Sequence, residues 1–97
     1  MHEPWDQPNN EINQRRHKLS FELARLVFED SSAMTTEDYI DDTGEVPYQT
    51  VGLVESLLLT VGHVYRVIDG VETPWIITAR KAVKYEQEVY WSQRGKH

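Results

Sequence analysis

The sequence predicts an α+β domain in which two N-terminal helices precede an antiparallel sheet of about four strands and a C-terminal helix follows it. Three observations lead to this prediction. Apolar residues recur at helical spacing early in the chain. Short β-prone runs separated by turn residues come next, a pattern typical of strands joined by hairpins. The last part of the chain returns to helical spacing.

The chain has the length and composition of one small domain. It contains 97 residues, of which 39% are hydrophobic, and its three Trp and five Tyr can furnish one modest core. No run of about 18 apolar residues could span a bilayer, and the start MHEPWDQPNN lacks the basic and apolar parts of a secretory signal. We therefore expect a single domain over residues 1–97, in the cytoplasm and away from membranes.

Charge and cysteine content narrow the function classes. Without cysteine there is no disulfide framework, thiol nucleophile or thiolate metal site. The net charge of -6 argues against a general nucleic-acid binder. The acidic residues are concentrated, however, because no Lys or Arg lies between Arg25 and Arg66. The rest of the chain is near balance, so one surface can still attract an anion.

The first helix is predicted over residues 9–16. Asp6 can cap its start, and Pro8 is tolerated in the first turn. The segment is polar, and Ile12 is expected to be its only strong apolar anchor. It should therefore form a short and mostly solvated helix.

A second helix is predicted over residues 21–28, with Ser20 as its candidate N-cap. Phe21, Ala24 and Phe28 recur at helical spacing, and Glu22 lies near the positive end of the helix dipole. This helix is expected to face the core.

The sheet is predicted from four β-prone runs, the first of them weak: residues 33–39, 48–54, 57–67 and 73–79. Turn residues separate them at 41–44, at 55–56 and at 69–70. Pro47 and Pro74 are expected at strand entrances, where a missing N–H does least harm. Such spacing favours an antiparallel meander.

A final helix is predicted over residues 83–91, and the stretch around its start, TARKAVKYEQEVYW, holds the densest basic cluster of the chain. Arg80, Lys81 and Lys84 lie within five positions. One interpretation is a solvated surface with an Arg80–Glu86 or Lys84–Glu88 ion pair, the latter worth only a few tenths of a kcal/mol. The other is an anion site, because the planar Arg fork suits phosphate.

Strand alternation separates two further candidates. Over residues 57–67, His63 falls on one face and Arg66 on the other unless a bulge intervenes. His63 can be a half-buried histidine bonded to a backbone carbonyl, or an acid or base if a phosphate lies close by. Arg66 can hold a phosphate. His17, near the end of the first helix, can interact with the last carbonyls of that helix or act as an acid or base near a phosphate.

Two other groups carry alternative interpretations. The aromatic side chains of Tyr85, Tyr90 and Trp91 can stack on RNA bases or serve as core and partner contacts. The oxygen ligands of EDYIDDTGE admit a metal hypothesis, but their spacing does not fit the calcium loop, and a solvated loop explains them as well. The carboxylates concerned are those of Asp38, Asp41, Asp42 and Glu45.

The order of several motifs resembles a known family. WDxxN, NQRRHKLSFELARLVFED, TVGL, LLLTVGHVYR and IITARKAVKYE, followed by Tyr90, occur in series over residues 5–90. This series resembles the BrnT family, the toxin half of type II toxin-antitoxin pairs, whose fold is similar to that of RelE-type ribonucleases. Its most specific parts are His17 to Glu22 and the Ala79 to Ala82 stretch with Glu86 behind it.

The resemblance implies a metal-independent endoribonuclease without a cofactor, held by a ribbon-helix-helix (BrnA-like) antitoxin that carries the pair to operator DNA. It further implies that Arg66 and Arg80 hold the phosphate. Lys81 would assist these two arginines. His63, Glu86 or Tyr90 would transfer protons or orient groups. Lys84 and Tyr85 would bind RNA.

The chain also departs from the family pattern. Members tend to have Lys where this chain has Asn9, Arg at Pro47 and at Trp75, and a basic stretch at residues 87–89. Each departure removes positive charge or stiffens the chain. A second hypothesis is therefore a catalytically weakened BrnT-like binding module, which acts mainly as an antitoxin partner and co-repressor.

Overall fold

A four-stranded antiparallel sheet forms the centre of the computed structural model, which describes residues 3–38 and 47–95. The strands follow one another in the order of the chain, as the predicted meander requires. Their bounds are β1 Met34–Glu37, β2 Tyr48–Val54, β3 Leu57–Ile68 and β4 Val71–Lys81. With helices before and after the sheet, the predicted α+β class is confirmed.

Two predicted turns connect the long strands. Glu55 and Ser56 join β2 to β3, and Asp69 and Gly70 join β3 to β4. Glu55, Asp69 and Gly70 all have positive φ, the backbone shape that matches the twist of a two-residue hairpin. The turn predicted at residues 41–44 lies outside the described residues.

Pro74 does not stand at a strand entrance as predicted, because β4 begins three residues earlier. It is instead paired with Tyr65 inside β4. The position tolerates proline because β4 is an edge strand, whose outward amides need no partner within the sheet.

Helix α1 spans Gln7–His17, one to two residues beyond each predicted end. Asp6 is its N-cap residue, but the carboxylate accepts no capping hydrogen bond from a described residue. The prediction that Ile12 anchors this helix is wrong, since that side chain is 44% exposed. Two asparagines, Asn10 and Asn13, are buried in its place.

Hydrogen bonds explain why the asparagines can be buried. Asn13 donates to the carbonyl of Leu19 at 2.9 Å and accepts from the amide of Ala79 in β4 at 3.1 Å. Asn10 accepts from the amide of Phe21 at 2.8 Å. Buried polar groups that are fully bonded fix geometry as well as contributing stability. Helix α1 is thus tied to the next helix and to the sheet edge by side-chain amides.

The predicted second helix forms in two parts. Helix α2 spans Phe21–Ala24, capped by Ser20 Oγ, which accepts from the amide of Leu23 at 3.1 Å. The chain then tightens into a 3₁₀ helix, Arg25–Glu29. This segment brings Val27 against Gly52 of β2, where an added Cβ would lie 2.8 Å from the Val27 Cβ. Only glycine permits so close an approach of helix and strand.

The two faces of the sheet have different coverings. The inner face, which carries Leu59, Val61 and His63 of β3, packs against α1, α2 and the 3₁₀ helix. The outer face carries Leu58, Thr60, Gly62, Val64 and Arg66 of β3, by strand alternation. One end of the outer face is covered by helix α3, Lys84–Arg94, which extends three residues beyond its predicted end.

Helix α3 is fastened by Tyr90, which is fully buried beside Val51 and Ala82. The Tyr90 hydroxyl donates to Asp30 Oδ2 at 2.5 Å. That carboxylate also accepts from the amide of Leu53 at 2.9 Å, which links α3 to β2 through one side chain. In the part of the chain that the structure describes, no helix is long and apolar enough to cross a membrane.

Candidate functional site

The basic cluster and helix α3 meet at an ion pair between Arg80 and Glu86. Arg80 lies near the end of β4, directly opposite Thr60 of β3, and so on the outer face. Its NH1 and NH2 groups donate to the two carboxylate oxygens of Glu86 at 2.8 and 2.9 Å. This two-bonded contact fixes the plane of the guanidinium as well as its position.

Glu86 has further donors around it. Its Oε1 atom accepts from the hydroxyl of Thr60 at 2.8 Å and from the amide of Val83 at 2.9 Å, at the start of α3. The hydrogen bonds from Arg80 lead the effects that lower the pKa of Glu86 to about 2, against the opposing effect of burial. A carboxylate held so firmly in its charged form is a weak proton acceptor at neutral pH. Its geometry suits orientation of Arg80.

Arg80 retains capacity for a ligand. Its hydrogen bonds to Glu86 and to the carbonyl of Lys81 at 3.3 Å use three of the five guanidinium N–H groups. The side chain is 34% exposed. A phosphate oxygen can therefore approach a guanidinium whose orientation is already set.

Three more predicted residues are near Arg80 in the chain and are exposed. Lys81 is the last residue of β4 and Lys84 the first of α3, so positive charge flanks the Arg80–Glu86 pair on both elements. Tyr85 is 73% exposed on the first turn of α3. These side chains are accessible to a large anionic partner.

Arg66 does not converge with Arg80. Both lie on the outer face, but Arg66 is six residues along β3 from Thr60, the partner of Arg80. At the rise of a β-strand this is roughly 20 Å. The Arg66 guanidinium lies 5.1 Å from the centre of the Trp75 ring, within cation–π distance. The two arginines therefore cannot hold one phosphate, and any joint role requires two separate anionic groups.

His63 lies on the inner face and has no solvent-exposed surface. The side chain is more deeply buried than the half-buried histidine expected, and its Nε2 is 2.7 Å from the hydroxyl of Thr50. Phe28, Tyr48 and Tyr65 surround the ring, with centroids 4.9 to 5.9 Å away. Burial lowers the pKa of His63 to about 4, so the ring is neutral at neutral pH.

The predicted separation of His63 from Arg66 matches these contacts. A bulge does occur beside His63, but its extra residue is Ile77 of β4, which has no partner on β3. The alternation of β3 itself is preserved. His63 contacts Phe28 beneath the inner face, while Arg66 lies against Trp75.

Tyr90 is likewise out of contact with solvent. Burial and the hydrogen bond to Asp30 both raise the pKa of its hydroxyl. Arg94 lies 3.3 Å from the same hydroxyl, on its other side. In this conformation neither Tyr90 nor His63 can touch an RNA chain.

Two residues of this region were not singled out in the sequence. The sequence pattern could have indicated Thr60 as a site residue, because it is a polar residue within an apolar run and shares the outer face with Arg66. No sequence pattern indicated a role for Asp30, since its partners Leu53 and Tyr90 are distant in the chain. Of the acidic stretch in the metal hypothesis, Asp41, Asp42 and Glu45 lie outside the described residues.

Comparison with known proteins agrees with the motif series. A family model described as ribonuclease toxin, BrnT, of type II toxin-antitoxin system matches residues 5–86. No curated protein matches the chain. The matched residues include α1, α2, the whole sheet and the Arg80–Glu86 pair. The chain belongs to the BrnT family of ribonuclease toxins of type II toxin-antitoxin systems.

Proposed function

We propose that this chain is a metal-independent endoribonuclease that cleaves RNA and inhibits growth in the cytoplasm until an antitoxin neutralises it. The observation that carries the proposal is the Arg80 guanidinium, oriented by Glu86 on the outer face and still partly exposed. An arginine whose plane is fixed before binding loses little further freedom when it takes up a phosphate.

The chemistry required is transfer of the phosphoryl group to the neighbouring 2′-oxygen. The 2′-oxygen forms a bond to phosphorus while its proton passes to a base, and the bond to the 5′-oxygen breaks as that oxygen gains a proton. Negative charge builds on the phosphoryl oxygens in between. Arg80 stabilises that charge, and Lys81 assists it from the end of β4.

Arg66 has a separate part in the proposal. At roughly 20 Å from Arg80 along β3, it holds a second phosphate of the same RNA strand. Lys84 and Tyr85 contact the RNA beside α3. Glu86 serves as a positioning residue for Arg80, and His63 and Tyr90 contribute through packing, because both are buried.

The burial of His63 and Tyr90 also favours a second candidate function. Both were candidates for proton transfer, and neither faces solvent. If no other group takes up that role, the chain acts as a binding module that stabilises its antitoxin and assists repression at operator DNA. The two functions differ in whether the chain alone destroys RNA.

The test is expression of the chain alone in bacteria, with growth and intact RNA measured together. We expect growth arrest and RNA loss, relieved by Arg80→Ala and weakened by Arg66→Ala. Arg25→Ala removes an equal charge from the 3₁₀ helix on the other side of the sheet and is the matched control. If growth is unimpaired at verified expression, the ribonuclease proposal is wrong and the binding-module proposal remains.

The partner is tested separately. We propose a ribbon-helix-helix antitoxin of the BrnA type, which binds operator DNA and carries the toxin with it. The protein encoded beside this chain is co-expressed with it, and the complex is purified through a tag on the toxin. Failure to co-purify in a soluble, folded state contradicts the antitoxin proposal whatever the RNA assay shows.

A further inference from the structure

A cavity of about 230 Å³ lies between helix α3 and the hairpin that joins β2 to β3. Its lining combines apolar and polar side chains. Leu53, Leu58 and Ala82 are apolar, Lys81 and Gln87 are polar, and Trp91 contributes an indole. The volume is below the range of about 300–1,000 Å³ that is usual for whole drug-sized ligands. A group the size of a nucleobase suits it better.

Residues that line the cavity are neighbours of the Arg80–Glu86 pair in the chain. Leu58 lies two residues from Thr60 on the outer face, and Lys81 and Gln87 directly follow Arg80 and Glu86 in the chain. A nucleotide with its base in the cavity therefore has its phosphate near positive charge. Lys81 on the wall complements the charge of that phosphate.

Trp91 offers a surface for stacking. Its side chain is 48% exposed and faces the cavity. The ring of Tyr90 contacts it edge-on at 5.0 Å, and the Arg94 guanidinium lies 5.4 Å from its centre. These neighbours hold the indole in place. A tryptophan that is already fixed loses little freedom when a base stacks on it.

Gln87 introduces a preference among bases. Its amide nitrogen donates to the carbonyl of Ala82 at 2.9 Å, which orients the side chain. Its Oε1 atom then remains as an acceptor. Adenine and cytosine present an exocyclic amino donor where uracil presents a carbonyl acceptor, so an acceptor in the cavity discriminates between them.

We propose that this cavity binds a nucleobase of the RNA, next to the phosphate held at Arg80, by stacking on Trp91, with adenine and cytosine preferred over uracil. The inference rests on the proposed function, because it treats the outer face as the RNA site. The lining is half polar, which suits a base better than the apolar side chain of a protein partner.

The experiment is an NMR titration of the isotope-labelled full chain with AMP, CMP and UMP. The three tryptophan indole N–H signals report three places at once. We expect the Trp91 signal to move and the signals of Trp5 and Trp75 to stay. AMP and CMP should bind about 3- to 10-fold more tightly than UMP, the value of one net hydrogen bond.

Variants separate stacking from hydrogen bonding. Trp91→Ala should weaken AMP binding about 5- to 150-fold, the usual range for a lost base–aromatic stack. Gln87→Leu should remove the preference for AMP over UMP while the Trp91 signal still moves. Trp75→Phe, outside the cavity, is the control and should bind AMP like the unaltered chain. Circular dichroism verifies that each variant is folded.

The outcomes are distinguishable from failure of the proposed function. If the chain cleaves RNA but AMP does not move the Trp91 signal, or if Trp91→Ala binds AMP normally, the cavity proposal is wrong and the ribonuclease stands. If AMP binding depends on Trp91 but the chain leaves RNA intact, the nucleotide site stands alone. Loss of antitoxin binding in Trp91→Ala, with AMP binding kept, assigns the cavity to the protein partner and overturns the inference.

Discussion

Acid should destabilise this protein through His63 before its carboxylates begin to titrate. His63 is fully buried among Phe28, Tyr48 and Tyr65, and its Nδ1 atom has no hydrogen-bond partner among the described residues. Burial lowers its pKa to about 4. The unfolded chain therefore takes up this proton at higher pH than the folded protein, and the free energy of unfolding falls as the pH falls from about 6.5 to 4.

The magnitude follows from the two pKa values. A pKa of about 6.5 in the unfolded chain against about 4 in the folded protein corresponds to about 3 kcal/mol once the pH is below both. Between pH 7 and pH 5 the expected loss is about 2 kcal/mol. The pKa values of Asp30 and Glu86 are lowered too, but these groups reduce stability only below about pH 4.5. The window from pH 7 to 5 isolates the histidine.

The assay is urea unfolding at pH 7, 6 and 5, followed by tryptophan fluorescence, for the natural chain and for His63→Gln. The glutamine keeps a polar atom near Thr50 and cannot be protonated. A second variant, His63→Leu, is used if the His63→Gln protein does not fold. The variants should lose the dependence on pH, whatever their stability at pH 7. An equal loss between pH 7 and 5 in the natural chain and in a folded variant refutes the reasoning.

Three further predictions concern stability and are measured by the same urea unfolding at pH 7. Asn13→Ala should lower the free energy of unfolding by about 2–3 kcal/mol, because the Ala79 amide and the Leu19 carbonyl lose their buried partner. A loss below about 0.5 kcal/mol, the usual effect of a surface substitution, contradicts it. Gly52→Ala should cost about 1–3 kcal/mol, since its Cβ would lie 2.8 Å from the Val27 Cβ, and an unchanged midpoint contradicts it. Lys18→Gly should raise stability by about 0.5–1 kcal/mol, because Lys18 ends α1 at φ 61, and any destabilisation argues against this reasoning.

Much of the sheet follows from local pattern. The bounds of β2 match the prediction at both ends, and β3 differs by one residue, because alternation and the turns at Glu55 and Asp69 restrict the register. β1 and β4 differ from the prediction by one or two residues at their ends. An edge strand has a partner on one side alone, so its limits depend more on the surrounding chain.

The attachment of the first helix could not be predicted in the same way. Hydrophobic periodicity identifies an apolar anchor, and Ile12 was the candidate, yet the helix is held by Asn10 and Asn13. Their partners are backbone groups 6 to 66 residues away. From the sequence, an asparagine side chain is expected on the solvated surface, because the hydrogen-bond partners that allow its burial meet it only in the folded chain.

The candidate site shows the same division. The pairing of Arg80 with Glu86 was one of two interpretations of the basic cluster, and the structure contains that pair. Its separation from Arg66 was not foreseen, because it depends on the pairing of Arg80 with Thr60, and strand alternation alone does not give the register between β3 and β4. The burial of Tyr90 depends on Asp30, sixty positions earlier.

By itself the sequence determined the α+β class, the meander, the main turns and the family, since all of these depend on the order and spacing of neighbouring residues. Only the tertiary structure decided which polar side chains are buried, which aromatic residues face solvent, and that Arg80 and Arg66 stand apart on one face. The physical reason is that burial and hydrogen bonding depend on contacts between distant parts of the chain, whereas periodicity and turn chemistry are local.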